Sequence, residues 1–306
     1  ISQIFGELIG LWLVQSWYEM GAPETIHLVE MGPGRGTLMK DVLRAAHLRP
    51  DFLKAVKVHL VESNVHLRGL QKQALANTAT PTWHDHFADA PEGPILLIAN
   101  EFFDCLPIRQ YECTDRGWCE RMIGLDDKEH FAFVLNPVPL IDTSTLGPAA
   151  AHAATGDMIE TCTPAESLIA DIAARVKEHN GRALIIDYGY PQPGTGETLQ
   201  ALKQHEYADV FSEPGAIDLT AHVNFAALAH TAEKAGAKVQ GPQNQGSFLE
   251  SLGITLRADA LRNAATPKEQ DTITQSVARL CDNDQMGTLF QVLALSHPDL
   301  PPAAGV

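Results

Sequence analysis

Short apolar runs alternate with amphipathic stretches through the first hundred residues. Residues 5–20 carry apolar side chains at helical spacing, and Gly21-Ala22-Pro23 ends that pattern. Beyond it the pattern predicts strands at 26–31, 56–61, 82–83 and 95–99, and helices at 37–47 and 67–76. Alternation of strand and helix is typical of a mostly parallel sheet with helices on both faces. We therefore expect an α/β fold, Rossmann-like in its layering.

The pattern of apolar and polar positions changes after residue 106. Residues 107–140 alternate between apolar and polar positions, which predicts an antiparallel insertion, and we expect the inserted β-rich subdomain to span 107–162 within a single domain of residues 1–306. Further along, the pattern predicts a helix at 164–179, a strand at 183–186, a long loop at 189–217, a helix from 218 to about 235, strands at 237–240 and 289–295, and a loose tail from 298.

Composition narrows the class of protein. No apolar run approaches the roughly 20 residues of a membrane span, so no membrane span is expected. The net charge is −16, and no Lys/Arg cluster stands out, which disfavours a nucleic-acid partner. The histidines lack metal-binding spacing, and no metal is expected. The chain opens at Ile1 rather than Met, which predicts a further segment before it.

A glycine-rich turn follows the first predicted strand. Gly32, Gly34 and Gly36 stand at alternate positions before a predicted helix, where glycines let the backbone approach a ligand closely. A dinucleotide fold prefers G-x-G-x-x-G, whose third glycine would fall at Thr37. Glu30, two residues before the first glycine, would repel a pyrophosphate but suits an ammonium group. The turn therefore favours S-adenosylmethionine (SAM) over a nicotinamide cofactor.

Two more acids follow the next strands. Glu62 comes directly after the second predicted strand, where an acid of a doubly wound sheet binds ribose hydroxyls. Asp85 comes after the third and is expected to touch the adenine edge. Each signal alone is weak, since a glycine-rich turn is often only a turn. Together they favour SAM binding by Glu30, Gly32, Gly34, Gly36, Glu62 and Asp85.

The stretch after the fourth strand reads ANEFFDCLPIRQ. Enzymes that methylate adenine or glutamine commonly have Asn/Asp-Pro-Pro-aromatic there, whereas this chain has Asn100 followed by Glu101, two phenylalanines and Asp104. Carboxylates and aromatic faces suit a guanidinium cation. We expect Glu101 to orient the guanidinium and take its proton, with Asp104 as its partner and Asn100 beside them. The alternative is that Glu101 only caps the next segment.

Other residues are candidates for an acceptor channel. Asp187 and Tyr188 end the fifth strand, and His222 lies in the segment TAHVNF. Phe103 belongs to the acceptor stretch itself. For Asp187 and Tyr188 a plain strand-end turn is an equal alternative, and a lone histidine such as His222 is more often structural. We expect Phe103, Asp187, Tyr188 and His222 to line the channel.

Several long segments resemble the MidA-type SAM-dependent methyltransferases, a family that includes a mitochondrial enzyme acting on an arginine of a respiratory complex I subunit. The resemblance covers nearly the whole chain, from about Ser2 to Leu295. The segments that carry it are LVEMGPGRGTLMKDVLR, VHLVES, ANEFFDCLPIRQ, LIIDYGYPQPGTGETLQA, DLTAHVNFAALA, QGSFLESLGI and DQMGTLFQVLAL.

The resemblance implies a class I SAM-dependent methyltransferase that methylates a protein arginine, the acceptor being a complex I-type subunit. It implies a location in the cytoplasm for a bacterial chain and in the mitochondrial matrix for a eukaryotic one. Homodimerisation through the insertion remains open. Two rival functions also stay open: a non-catalytic assembly or binding protein with the same fold, and a methyltransferase of a small molecule.

Overall fold

A computed structural model describes residues 2–203 and 206–306, so Ile1 lies outside the described residues. The described strands are β1 (Ile26–Met31), β2 (Val56–Val61), β3 (Thr82–His84), β4 (Ile95–Asn100), β5 (Arg109–Thr114), β6 (Gly117–Leu125), β7 (Phe131–Leu135), β8 (Met158–Thr161), β9 (Arg182–Tyr190), β10 (Gln200–Lys203), β11 (Glu206–Ala208), β12 (Asp218–Thr220), β13 (Val223–Asn224), β14 (Lys238–Asn244) and β15 (Phe290–Ser296). The described α-helices are α1 (Gln3–Glu19), α2 (Thr37–Ala45), α3 (Pro50–Ala55), α4 (Val65–Leu75), α5 (Thr163–Glu178), α6 (Phe225–Ala235), α7 (Gln245–Ser251), α8 (Ile254–Arg262), α9 (Pro267–Cys281) and α10 (Met286–Leu289).

The chain divides into two compact units. The first, which we call the sheet unit, contains the residues up to Phe102, Ile169–Tyr188 and Ala229–Val306. The second, the insertion unit, contains Phe103–Leu168 and Gly189–Leu228.

The large sheet runs in the order β14-β15-β9-β4-β1-β2-β3. The pairs of β1 with β2 and β4, of β2 with β3 and of β4 with β9 are parallel, while β15 is antiparallel to both of its neighbours. The predicted mostly parallel α/β sheet is therefore confirmed. Because the strand order reverses at β1, the carboxyl ends of β1, β2 and β4 surround the position where open α/β sheets bind ligands.

The core of the sheet unit lies under α1 and α2. The N-terminal helix α1 is apolar around most of its surface, and Trp12 on it is buried. Its indole Nε1 donates to the carbonyl oxygen of Ala304 at 3.0 Å, and Leu300 and Ala303 join the same core. The prediction of a loose tail from residue 298 is wrong, because these apolar residues cover the core.

The insertion unit contains two antiparallel sheets, in the orders β7-β6-β5-β8 and β11-β10-β12. The antiparallel insertion predicted from 107–140 is found as β5, β6 and β7. The predicted long loop at 189–217 is wrong over β10 and β11. The helix predicted from 218 begins only at Phe225, because Asp218–Thr220 pairs with Gln200–Leu202 as a strand. Asn224 Oδ1 accepts the Ala227 N–H at 3.0 Å and so caps α6.

Helices α7 to α10, between β14 and β15, were not predicted from the pattern. Among the helices of the described chain, none combines the length and the apolar character needed to cross a bilayer.

Candidate functional site

The glycine turn joins β1 to α2 with a left-handed backbone. The φ angles of Gly32, Gly34 and Gly36 are 57°, 51° and 77°, in a region that other residues rarely adopt. A Cβ on Gly32 would lie 2.6 Å from the Phe102 ring, and one on Gly36 would lie 3.2 Å from the Cα of Gln71. A Cβ on Gly34 would meet nothing within 4 Å. A side chain at Gly32 would therefore clash and Gly36 is tightly packed, whereas Gly34 faces open space in which a ligand could approach the backbone.

Glu30 on β1 is a buried acid beside this turn, only 3% exposed. It accepts a hydrogen bond from the backbone N–H of Met39 in the first turn of α2. Its Oε2 is buried and has no hydrogen-bond partner among the described residues. Burial raises the pKa of Glu30 to about 8. A buried acceptor of this kind fits a cationic donor such as an ammonium group.

Glu62 stands directly after β2 and is half-buried. Its N–H donates to the carbonyl of His84 at 3.0 Å, its Oε1 accepts from Asn64 N at 2.8 Å, and its Oε2 accepts from Gln71 Nε2 at 3.2 Å. A carboxylate offers about four lone-pair sites, so these bonds leave capacity for further donors such as a pair of hydroxyl groups. The backbone and side-chain bonds together hold the carboxylate in one orientation.

Asp85 follows β3 with a side chain that is 64% exposed. Its Oδ1 accepts from Arg68 Nη2 at 2.7 Å, and Arg68 Nε donates to the backbone carbonyl of Glu62 at 2.6 Å. Arg68 therefore connects the two acids that follow β2 and β3. The sequence reading did not single out this arginine.

Gln71 was also missed, although its side chain contacts both the glycine turn and Glu62. It is fully buried on α4, and its amide bonds to the glycine turn, to Glu62 and to Trp83. A signal was present in the sequence, since Gln71 lies four residues from both Leu67 and Leu75 on one helix face. A polar residue on an otherwise apolar face is a candidate for a buried hydrogen-bonding role.

The turn after β4 carries Glu101 with an unusual backbone. Its φ is +50°, a left-handed value that stores strain in a non-glycine residue. The Glu101 N–H donates to Ile186 O at 2.9 Å, and the next N–H, of Phe102, donates to Asp187 Oδ2 at 3.1 Å. Asn100 Nδ2 donates to Glu101 Oε1 at 3.2 Å. The end of β9 thus fixes this turn, and Glu101 is exposed.

Asp187 and Tyr188 end the part of β9 that lies in the sheet unit. The Asp187 side chain is fully buried, and its Oδ1 accepts the N–H of Tyr188 at 3.0 Å in addition to the bond from Phe102. The Tyr188 ring packs edge-on against Phe290, with centroids 5.5 Å apart. The described contacts of Asp187 brace the Glu101 turn, and their role towards an acceptor stays a prediction.

Phe103 and Asp104 open the insertion unit and are buried there. The carbonyl of Asp104 accepts the N–H of Ala221 at 3.0 Å, and the N–H of the following His222 donates to Thr198 Oγ1 at 2.9 Å. Burial lowers the pKa of the His222 imidazole. The fold of this unit therefore brings Asp104 next to the segment that contains His222, although 118 positions separate the two in the sequence.

A protein-family model described as "Putative S-adenosyl-L-methionine-dependent methyltransferase" matches residues 8–243. The chain belongs to this methyltransferase family. The resemblance drawn from the sequence motifs is thereby confirmed, and SAM is the cofactor of this methyltransferase.

Curated relatives of this methyltransferase carry more specific names. A fruit-fly protein, "Protein arginine methyltransferase NDUFAF7 homolog, mitochondrial" from Drosophila melanogaster, is 35% identical over all of this chain and 76% of its own length. The human protein named "Protein arginine methyltransferase NDUFAF7, mitochondrial" is 33% identical over 96% of this chain and 71% of its own length.

A crystal structure supports the same assignment. A Burkholderia thailandensis protein solved with bound S-adenosylhomocysteine superposes with a TM-score of 0.82 at 26% identity, over 100% of this chain and 79% of that chain. The methyltransferase thus shares a class I fold with a protein that holds the demethylated cofactor. Two observations in the present structure fit SAM: the orphaned Oε2 of buried Glu30, and the open space beside Gly34.

In the described part of the chain, no group of three or more His, Cys, Asp or Glu residues is arranged to hold a metal ion.

Proposed function

We propose that this methyltransferase transfers a methyl group to a guanidinium nitrogen of a protein arginine. Relatives named as protein arginine methyltransferases support this acceptor. The observation that carries the proposal is Glu101, an exposed carboxylate on a strained turn at the carboxyl end of a central strand. Strained residues persist where surrounding structure over-determines them, and they cluster at functional sites.

The cofactor half of the proposed site lies along three successive strand ends. Glu30 would bind the ammonium group through its unpaired Oε2. Gly34 would let the backbone approach the cofactor, with Gly32 and Gly36 shaping the turn around it. Glu62 would bind the ribose hydroxyls. Asp85 would lie towards the adenine, in an orientation set by its ion pair with Arg68.

The acceptor half depends on Glu101. When bound, SAM supplies an electrophilic methyl group on a sulfonium and leaves as a neutral thioether. The Glu101 carboxylate would bind the guanidinium through charge-assisted hydrogen bonds and so direct one nitrogen. An arginine has a pKa above about 12, so the proton displaced as the new N–C bond forms needs an acceptor. Glu101 would take that proton, and Asn100 holds one oxygen of its carboxylate.

Other predicted acceptor residues enter this proposal with lesser roles. Asp187 would hold the Glu101 turn through the Phe102 N–H. Asp104 remains the proposed second carboxylate, and Phe103, Tyr188 and His222 remain proposed channel residues. Each of them keeps the role that the sequence motifs imply, and each can be substituted and tested in the methylation assay described below.

The proposed protein target rests on the family resemblance, and the relatives named as protein arginine methyltransferases support a protein substrate. The resemblance implies a subunit of respiratory complex I type with an exposed arginine. Several curated relatives are named as mitochondrial. We propose the mitochondrial matrix as the location if the chain is eukaryotic, and the cytoplasm if it is bacterial. We also propose homodimerisation through the insertion unit.

The decisive experiment supplies tritiated SAM and a protein extract from cells that lack this enzyme. Labelled protein is hydrolysed with acid and analysed for methylarginine. Glu101→Gln, which is isosteric, is expected to lower the rate about 10²- to 10⁴-fold, the usual contribution of a positioned general base. Its affinity for S-adenosylhomocysteine should stay near that of the wild type, because no cofactor contact is assigned to it.

Glu129→Gln is the matched control, since Glu129 is another exposed glutamate with a left-handed backbone, at φ +63°. It should leave both rate and affinity unchanged. A rate for Glu101→Gln within threefold of the wild-type rate would contradict the proposed role of Glu101 as the proton acceptor. Label in a small molecule instead of protein would favour the small-molecule alternative, and cofactor binding without any transfer would favour a binding protein.

A further inference from the structure

The buried side-chain amide of Gln71 links the glycine turn to Glu62. Gln71 is 0% exposed on α4, and both hydrogens of its Nε2 are directed at named acceptors: Gly34 O at 2.8 Å and Glu62 Oε2 at 3.2 Å. Its Oε1 accepts the indole N–H of Trp83 at 2.8 Å. These three bonds satisfy an amide whose burial would otherwise be costly.

The orientation of this amide is determined by its neighbours. The Gly34 carbonyl can only accept a hydrogen bond, and the Trp83 indole can only donate one. The nitrogen of Gln71 must therefore face Gly34, and its oxygen must face Trp83. A flipped amide would lose both bonds and would set its oxygen against the Glu62 carboxylate. The donor directed at Glu62 is thus fixed by two groups outside that acid.

We infer that Gln71 is a positioning residue for the cofactor, which holds the glycine turn and the Glu62 carboxylate at a set separation before the cofactor arrives. This inference rests on the proposed role of Glu62 towards the ribose. Packing supports it as well, because a Cβ on Gly36 would lie 3.2 Å from the Cα of Gln71, so helix α4 and the turn are already in close contact. A ligand that contacts both the turn and the Glu62 carboxylate binds more tightly when their spacing is already fixed, because less ordering of the protein is needed on binding.

The test measures S-adenosylhomocysteine affinity by calorimetry on the full chain. Gln71→Met keeps the length of the side chain and removes all three hydrogen bonds. It is expected to weaken binding about 10- to 150-fold, the range for loss of a hydrogen bond to a charged group. Trp83→Phe keeps an aromatic ring against the core and removes the bond that orients the amide oxygen, and a smaller loss of about two- to fivefold is expected. Thermal unfolding of each variant checks that it is folded.

A double-mutant cycle separates positioning from a general loss of structure. In a Glu62→Ala background, Gln71→Met should weaken binding much less than it does in the wild type, since its main target is gone. An equal loss in both backgrounds, or wild-type affinity for folded Gln71→Met, would overturn the inference while leaving the Glu62 assignment intact. If Glu62→Ala itself binds as tightly as wild type, the proposed ribose contact fails and this inference fails with it.

Discussion

Cofactor binding should release a proton from Glu30. Burial raises the pKa of this acid to about 8, so at pH 7 about 0.9 of the molecules carry the proton on Glu30 in the free protein. An ammonium group at the unpaired Oε2 would favour the ionised form and lower that pKa. If the bound-state pKa falls below about 6, up to about 0.9 proton leaves per cofactor bound at pH 7. The variant Glu30→Gln keeps the shape and cannot release a proton.

The assay is calorimetric titration with S-adenosylhomocysteine at pH 7 in buffers of different ionisation enthalpy. The slope of the observed enthalpy against the buffer enthalpy counts the protons released. The amino group of the ligand titrates in both experiments, so the difference between wild type and Glu30→Gln isolates Glu30. Wild-type affinity should rise with pH until Glu30 is ionised near pH 8. An equal slope in both proteins would refute the pairing of Glu30 with an ammonium group.

The same pKa makes Glu30 a source of instability without cofactor. Its folded pKa of about 8 lies above its ordinary value of 4.5, so the folded state holds the proton more tightly than the unfolded state. Stability is therefore undiminished below pH 4.5 and declines as pH rises towards 8, by about 3 kcal/mol at pH 7. Glu30→Gln should raise the unfolding temperature at pH 8 while it weakens cofactor binding. Such opposed effects are typical of a residue retained for function.

Three further outcomes are expected. Gly34→Ala places a Cβ in the open space beside the turn, and it should weaken S-adenosylhomocysteine binding at least about tenfold in a calorimetric titration. Gly21→Ala is the control, because Gly21 also has a left-handed φ, of 86°, and no atom within 4 Å of the added Cβ, and it should leave binding unchanged. Arg182→Met should lower the free energy of unfolding in urea by about 3 to 5 kcal/mol, because the fully buried Arg182 pairs with Glu19. Burial lowers the pKa of His59 to about 4, so stability should fall as pH drops from 6.5 towards 4, and thermal unfolding of His59→Leu should show a smaller decline.

The sequence predicted the elements that carry the cofactor site best. The strands predicted at 26–31 and 56–61 match β1 and β2 at both ends. The first ends directly before Gly32 and the second directly before Glu62. The last four residues of each strand are buried in the sheet, and this burial is why the sequence is mostly apolar there. Because parallel strands end at the same edge, acids that follow them could be assigned to one site from chain order alone.

Elements that depend on distant partners were predicted less well. A helix was predicted from residue 218, yet β12 forms there because it pairs with β10. A strand of three residues is too short to show an alternating pattern. The C-terminal residues read as a tail because prolines and small residues dominate their composition. Their role depends on contacts with Trp12 and the core around it, which no local pattern reveals. Tertiary contacts determine such segments, and propensity does not.

The same distinction explains which site residues were missed. Glu30 and Glu62 could be recognised because each lies at the end of a predicted strand. Gln71 and Arg68 lie on a helix, and their contacts depend on how that helix packs. Glu101 lies between these cases. Its position after β4 could be predicted, but its φ of +50° could not, because the bonds that hold this turn run to Ile186 and Asp187, which are distant in the sequence. These distant bonds fix the backbone from which the Glu101 carboxylate extends, and Asn100 donates to one of its oxygens. A group that must direct one nitrogen of an arginine needs such a fixed starting point.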